Sequence, residues 1–303
     1  MTVKRIDVRV GATSANLGAG FDSLGLAWAL YDDIRVDIAG IGDVVAIEGE
    51  GAATLPTGHR HLILSTVRRE LAAHDVHIPG LHIRCRNRIP QARGLGSSAA
   101  ATVAAHAIVA ALTTPPSADV DRDAVFSAAA RDEGHPDNVA PCVFGGLTVS
   151  RQGSDGVFDC ASLPVHESAA FTCVIPENTS TTAKARSVLP TEVSMADAVF
   201  NIAHASTMVA ALTLDPELLL PAMDDRLHEK QRRRQWPVSY ALVQALRAVG
   251  VPACISGAGP TVLAAYPKSR AAMARRTIVM LAPEAAGIVH TRIDAEGLKI
   301  SRR

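Results

Sequence analysis

The sequence predicts a mixed α and β chain, and three observations carry that prediction. Period-two alternation places Ile6, Val8 and Val10 on one face, and Leu81 to Arg86 alternates in the same way, the pattern of half-buried strands. Ala-rich runs at helical spacing stand between such stretches, above all at 97–112 and 121–132. At 303 residues, 48% of them hydrophobic, the chain suits two domains sharing one interface or a single large one.

Composition narrows the function classes. Lys and Arg number 30 against 30 Asp and Glu, so no broad electrostatic footprint for nucleic acid or an acidic membrane is expected. Cys85, Cys142, Cys160, Cys173 and Cys254 are scattered without a C-x-x-C pair, which fits buried free thiols in a reducing compartment better than disulfides or zinc. The start lacks an apolar signal core, and no uninterrupted apolar run reaches the roughly 18 residues that span a bilayer. The expectation is a soluble cytoplasmic protein with a small-molecule substrate, no nucleic acid and no membrane.

Taken in order, strand 3–10 feeds a loop, Gly11 to Asp22, rich in Gly and Asn, where binding groups are often mounted; Asn16 and Asp22 also read as turn formers. Ile34–Ile38 and Val44–Ile47 read as strands of a meander separated by glycines, and 60–74 as a helix. His59, His61, His74, His77 and His82 show no metal-ligand spacing and read as solvated loop histidines.

The stretch Pro90-Gln91-Ala92-Arg93-Gly94-Leu95-Gly96-Ser97-Ser98-Ala99-Ala100 organises the chain: a glycine turn opening into a helix. Gly94 and Gly96 can adopt positive φ and let backbone approach a ligand, and Ser97 or Ser98 can cap the helix. Free amides and the positive dipole end make an anion site, with phosphate the obvious anion. No Lys-Ser/Thr follows, so this is not a Walker A loop, and the Gly spacing is not the dinucleotide fingerprint. Ser98, Thr102 and His106 share one stripe of an otherwise apolar, mostly buried helix. By itself the run also reads as a capped core helix.

Prolines after Thr114 end that helix, and 121–132 forms a second one closing on Glu133-Gly-His135-Pro-Asp-Asn138. This cluster of carboxylate, imidazole and amide reads either as a site or as a polar helix-to-helix turn. Gly153–Asp159 is a polar turn, and Phe171–Ile175 a buried strand. Residues 179–190 form a short helix with Thr182 and Arg186 on one face. Helices are expected at 194–212, 216–228, 238–249 and 268–282, with a strand at 287–293. The basic run 225–236 should be mostly a solvated face, and Ala253–Leu263 a strand, a glycine turn and a further strand or helix.

With these residues in hand, Pro90-x-x-x-Gly94-Leu-Gly-Ser-Ser98-Ala-Ala resembles the phosphate-loop motif of the GHMP small-molecule kinases, which include galactokinase, homoserine kinase and mevalonate kinase. Two more of that family's motifs stand in the same order, Ser14-Ala-Asn16-Leu-Gly-Ala-Gly-Phe-Asp22-Ser-Leu-Gly and Ser256-Gly257-Ala-Gly-Pro-Thr-Val-Leu263. Glu133-Gly-His135-Pro-Asp-Asn138-Val-Ala-Pro is closest to the homoserine kinases. Their usual Asn-Leu, which helps hold adenine, is His61-Leu62 here, and their Tyr-Arg is Gln231-Arg232, with Arg233 and Arg234 as competing registers.

The resemblance implies an α+β fold of two domains: an N-terminal mixed α/β nucleotide domain over 1–166, and a C-terminal ferredoxin-like domain over 167–303 whose last strand can return to the first. It implies ATP bound by Pro90 to Ala100, Mg2+ on Ser98 and Glu133, and L-homoserine held by Asn16, Asp22, His135, Asn138, Thr182, Arg186, Arg232 and Gly257. Asn138 and Arg186 are the residues it assigns to catalysis. The implied reaction is ATP-dependent phosphorylation of the homoserine side-chain hydroxyl in threonine biosynthesis, by in-line transfer without a dedicated Asp base, in a homodimer. The alternatives are a kinase for another small alcohol (threonine, shikimate, an isoprenoid intermediate) and a non-catalytic nucleotide-binding relative.

Overall fold

Two strands of unusual length begin the fold, β1 (Arg5–Ala15) and β2 (Leu24–Ile38), paired antiparallel with a register shift at Gly11/Ala12. This is a computed structural model; it describes residues 3–38, 40–180, 182–282 and 285–303, excepting the side chains of residues 182 and 183. Ile6, Val8 and Val10 are buried, as their alternation predicts. The next two strands correct the expected meander. β3 (Val44–Gly49) does not return along β2; the chain crosses through α1 (Leu62–Ala73), and β4 (Leu81–Asn87) lies between β2 and β3, antiparallel to the first and parallel to the second. Parallel neighbours need such a crossover, and α1 supplies it. The buried faces of β4 (Leu81, Ile83, Cys85) and α1 (Ile63, Leu64, Val67, Leu71) join one core.

At the centre runs α2 (Ser97–Thr113), most of whose side chains, from Ala99 to Ala111, are buried. α3 (Arg122–Glu133) packs along it, started by Asp121, whose carboxylate accepts from the Asp123 and Ala124 amides, and stopped by left-handed Gly134. α4 (Val139–Phe144) leads into the hairpin β5 (Leu147–Gln152) and β6 (Phe158–Leu163), and β5 extends the sheet along the start of β2.

β7 (Ala169–Ile175) opens a second sheet. α5 (Thr182–Arg186) and α6 (Met195–Thr213) follow. The expected helix over 216–228 is broken into a single 3-10 turn at Pro216–Leu218 and α7 (Leu219–Ala222). The cause is Asp225: its carboxylate accepts from the amides of Leu227, His228 and Glu229 and starts α8 (Glu229–Arg232) instead. α9 (Pro237–Ala248), β8 (Ala253–Ile255), β9 (Val262–Pro267), α10 (Ala271–Leu281) and β10 (Gly287–Val289) complete an antiparallel sheet of order β10-β7-β9-β8, the ferredoxin-like arrangement. The chain then returns to the first sheet, where β11 (Lys299–Arg302) pairs with β1.

The two sheets share a core. Phe171, Cys173 and Ile175 on one face of β7 join the apolar cluster of the first sheet, whereas Val174 joins a second cluster with Trp236, Val243 and Ile278. All five cysteines are free thiols, as their scatter predicts. Among the described helices α6 alone has the length and mean hydropathy of a membrane span; Asp197, Asn201 and His204 interrupt it, and Asn201, Met208, Ala211 and Leu212 are buried in this fold.

Candidate active site

The glycine turn before α2 is built by close backbone approach. Gly94 and Gly96 have φ of 76° and 71°. A Cβ on Gly94 would lie 2.3 Å from the Ser256 carbonyl oxygen, and one on Gly96 would lie 2.0 Å from Thr13 Oγ1. The positive φ expected at these glycines is present, and their missing side chains also let three loops interlock. The expected serine cap is corrected too: Gly96 is the N-cap, with no side-chain cap bond, and Ala100 N–H donates to its carbonyl. The other first-turn amides are left without intrahelical acceptors.

Freed from capping, Ser98 donates to Glu133 Oε1 at 3.0 Å, and Thr102, one turn on, donates to the same oxygen at 2.7 Å. His106 completes the stripe against Asp132, which also pairs with Arg69. The i, i+4 spacing on α2 thus faces the end of α3 along its length. Arg93 donates from its guanidinium to the carbonyls of Pro176 and Glu177, tying the loop to the segment after β7. Pro90 to Ala92 complete the loop; Leu95 is buried in the core, and its carbonyl accepts from Thr13 N–H at 3.0 Å.

A second cluster lies at the 14–22 loop. Asp22 and Arg186 form a bidentate pair at 2.7 and 2.9 Å. Asn16 is buried and engaged, its amide donating to the Gly257 carbonyl at 2.9 Å and its oxygen accepting from the Asp22 amide at 3.1 Å. Gly257 N–H donates in turn to Ala15 O. The Phe21 ring stacks on His228 and carries the guanidinium carbons of Arg186 and Arg232 at 5.6 and 5.2 Å from its centre. Arg232 is only 2% exposed, whereas Arg233 and Arg234 are exposed, so the basic run is not wholly a solvated face. Arg232 donates to the Ala185 carbonyl and contacts His228, and among the described residues it meets no carboxylate at ion-pair distance. Burial and the neighbouring Arg186 charge pull its pKa down to about 10. The side chain of Thr182 lies outside the described residues.

Between the clusters runs a polar chain. Asn138 Oδ1 accepts from Thr13 Oγ1 at 2.9 Å, and its amide faces Asp137, which also bonds His135 Nδ1 at 2.8 Å. Burial lowers the His135 pKa, but the hydrogen bond and charge of Asp137 outweigh it and the net direction is upward from 6.5. That pair therefore stabilises the fold fully below pH 6.5, and the contribution is lost as pH rises through the higher folded value. Asp137 stands in the cluster the sequence points to but has no role assigned there, whereas Thr13 reaches Asn138 across 125 residues with no local signal.

Beside the loop is a cavity of about 400 Å3, lined by Gln91, Ala92, Ser97 and Ser98 on one side and by Val10, Ile34, Leu55 and Ala101 on others. Asp32 lines it as a buried carboxylate accepting the Arg88 and Ile89 amides; burial pushes its pKa up to about 6. His61 also lines it and is 5% exposed, a correction to the solvated histidine expected there.

The donor set suits a hard cation that keeps several waters: one hydroxyl and one carboxylate side by side, beside free helix amides. Among the described residues no group of three or more His, Cys, Asp or Glu side chains forms an all-protein cage. Comparison with known proteins bears on the same segments. Residues 61–146 match the profile of the GHMP kinases N terminal domain, and residues 207–278 that of the GHMP kinases C terminal domain. The homoserine kinase of Streptomyces avermitilis is 43% identical over 97% of this chain and 95% of its own length. The crystal structure of homoserine kinase from Cytophaga hutchinsonii superposes with a TM-score of 0.82 at 26% identity, covering 98% of both chains. A putative homoserine kinase from Listeria monocytogenes superposes at 0.77 with 30% identity, over 98% of this chain and 99% of that one.

Proposed function

The chain belongs to the GHMP kinase family, among its homoserine kinases, and phosphorylates the side-chain hydroxyl of homoserine; we propose that it does so by in-line transfer from ATP, its own residues positioning both substrates without a dedicated base. The amides of 94–99 hold the β- and γ-phosphates, and Ser98 and Glu133 hold Mg2+, which when bound neutralises charge on them. The homoserine oxygen forms the new bond to the γ-phosphorus as the bond to the bridging oxygen of ADP breaks. The hydroxyl proton leaves to the transferred phosphate or to solvent.

The observation that carries the amino-acid reading is Arg232, a buried guanidinium that among the described residues has no carboxylate at ion-pair distance. A buried charge of this kind is costly unless it is matched, and an α-carboxylate matches it bidentately. Arg186 shares that carboxylate, while Asp22 takes the α-ammonium, exchanging part of its bond to Arg186. Asn16 and Gly257 act one step back, fixing the Asp22 backbone, and Asn138, held by Thr13, orients the hydroxyl with His135 beside it. A zwitterionic substrate thus replaces the internal Asp22–Arg186 pair with matched partners. The reading includes two domains over 1–166 and 167–303, a cytoplasmic enzyme of threonine synthesis, and a homodimer, for which the exposed Met195, Val199 and Ile202 on one side of α6 offer a face.

An ADP-release assay with Mg-ATP against L-homoserine, L-threonine, L-serine, shikimate, mevalonate and galactose tests the proposal. Strong turnover on L-homoserine alone is expected; turnover on another alcohol instead removes the substrate assignment, and ATP binding with silence on all removes the kinase reading. In Arg186→Ala the KM for homoserine should rise roughly 10- to 150-fold, the worth of a charge-assisted hydrogen bond, with kcat little changed. An equal fall in kcat and kcat/KM would place Arg186 in the transition state instead. Asp137 engages His135 Nδ1 at 2.8 Å, and in-line transfer as proposed calls on no base, so kcat should show no limb near pH 6.5 that His135→Gln abolishes. Such a limb would make His135 the base.

A further inference from the structure

A buried imidazole behind the second cluster has no part in the reaction so far. His228, the residue before α8, is wholly buried between the two segments assigned to the amino-acid substrate. Its Nε2 lies 2.9 Å from the carbonyl oxygen of Gly18, on the loop that carries Asn16 and Asp22. Its Nδ1 lies 3.3 Å from Nη1 of Arg232, one helical turn on. The two partners fix the state of the ring. A carbonyl oxygen can only accept a hydrogen bond, and a guanidinium can only donate. Nε2 therefore carries the proton and Nδ1 presents its lone pair, which is the neutral ring in one tautomer. Asp225 stands 3.8 Å from Nε2, too far to bond it, and is occupied by the amides of residues 227–229 and by Asn201. The Phe21 ring, stacked on the imidazole with centres 5.1 Å apart, holds its plane.

This arrangement decides how Arg232 is presented. Its Nε donates to the Ala185 carbonyl at 2.9 Å, and one Nη1 hydrogen goes to His228. The other Nη1 hydrogen and both hydrogens of Nη2 have no partner among the described residues. A guanidinium on a free stem can turn its fork in many directions. Here two bonds at different nitrogens, with the Phe21 ring beneath, leave one orientation. The long side chain is thus ordered when the protein folds, and binding a carboxylate does not have to order it again. The same imidazole holds Gly18, so a single ring sets the position of Arg232 relative to the loop of Asp22.

We propose that His228 is a positioning residue that aims Arg232 at the α-carboxylate, and so sets the preference of this kinase for homoserine over its decarboxylated counterpart. The inference rests on the reading of Arg232 as the carboxylate ligand and adds a residue which that reading does not contain. The probe is 3-aminopropan-1-ol, which keeps the hydroxyl and ammonium of homoserine and lacks only the carboxylate. The readout is the ratio of kcat/KM for homoserine to that for the probe, in which the folded fraction cancels. His228→Gln keeps a donor near the Nε2 position and removes the acceptor at Nδ1. Its ratio should fall about tenfold or more, the low end for a hydrogen bond to a charged group, through the homoserine KM rather than kcat. His228→Asn does the reverse, keeping an acceptor at the Nδ1 position, and its ratio should stay near that of the wild type. Arg232→Gln, the reference, should lower the ratio at least as far as His228→Gln. Nitrogen NMR of the wild type checks the ring without any substitution: the proton should be on Nε2, with Nδ1 bare. Equal losses on both substrates in His228→Gln would show a structural role and overturn the proposal. So would a fall in His228→Asn as large as in His228→Gln, or a protonated Nδ1. If Arg232→Gln still lowers the ratio in those cases, the carboxylate reading survives without His228. A ratio unmoved by Arg232→Gln would remove that reading, and the proposal with it.

Discussion

Glu133→Gln should lower kcat by about 10²- to 10³-fold and raise the Mg2+ concentration needed for half-maximal rate, while leaving the melting temperature within a few degrees. The size is that of removing one fixed electrostatic contact to a transferring group. The geometry makes the substitution unusually clean. Both Ser98 Oγ and Thr102 Oγ1 donate to the same oxygen, Oε1, and the oxygen of a glutamine can accept both. The link between α2 and α3 is thereby kept and only the charge is removed. ADP-release rates across a Mg2+ titration, with thermal unfolding alongside, separate the two roles of this carboxylate. A fall of less than tenfold with normal stability would mean that Glu133 serves to tie the helices and that the cation is held elsewhere. Loss of stability with little change in rate per folded molecule would mean the same.

That test probes a pair the sequence made visible, and the reason is local. Ser98, Thr102 and His106 lie on one stripe because helical periodicity puts them there, and Glu133 closes the adjacent helix, so a short-range rule predicts the facing groups. Strand alternation made Ile6, Val8 and Val10 legible for the same reason. What was misread depends on partners far along the chain. Whether β3 follows β2 or β4 is decided by where α1 packs, which no window of the sequence contains. The pattern at 216–228 is helical until the Asp225 carboxylate claims the next amides for itself. Asp22 and Arg186 were each read as substrate ligands, but only their folded geometry shows that they first neutralise one another across 164 residues. His61 was grouped with exposed histidines because its spacing says nothing of the cavity it enters.

The second large effect is expected at Gly94. Gly94→Ala should destabilise the fold by about 3 kcal/mol and remove most activity, through two causes that controls can separate. One is the backbone: φ is 76°, where a side chain costs about 1–2 kcal/mol. The other is contact. The new Cβ would lie 2.3 Å from the Ser256 carbonyl oxygen and 3.0 Å from Gly259 N, both backbone atoms that cannot rotate aside. Ser256 itself is anchored, its hydroxyl bonding Ser14 Oγ and the Gly94 carbonyl, so relief at one loop displaces all three glycine motifs. Gly134→Ala isolates the first cause, since φ there is also 76° but nothing stands within 4 Å of the added carbon. It should cost only about 1–2 kcal/mol. Gly257→Ala isolates it within the site, where φ is 55° and the nearest atom stands at 3.5 Å. Denaturant unfolding of the three variants, with homoserine phosphorylation measured on the folded fraction, reads out both components. If Gly94→Ala costs no more than Gly134→Ala, the loops are free to part, and the phosphate site is not held by the interlock of the Ser14, Gly94 and Ser256 segments. If it costs more and the folded fraction keeps its rate, the interlock serves stability alone.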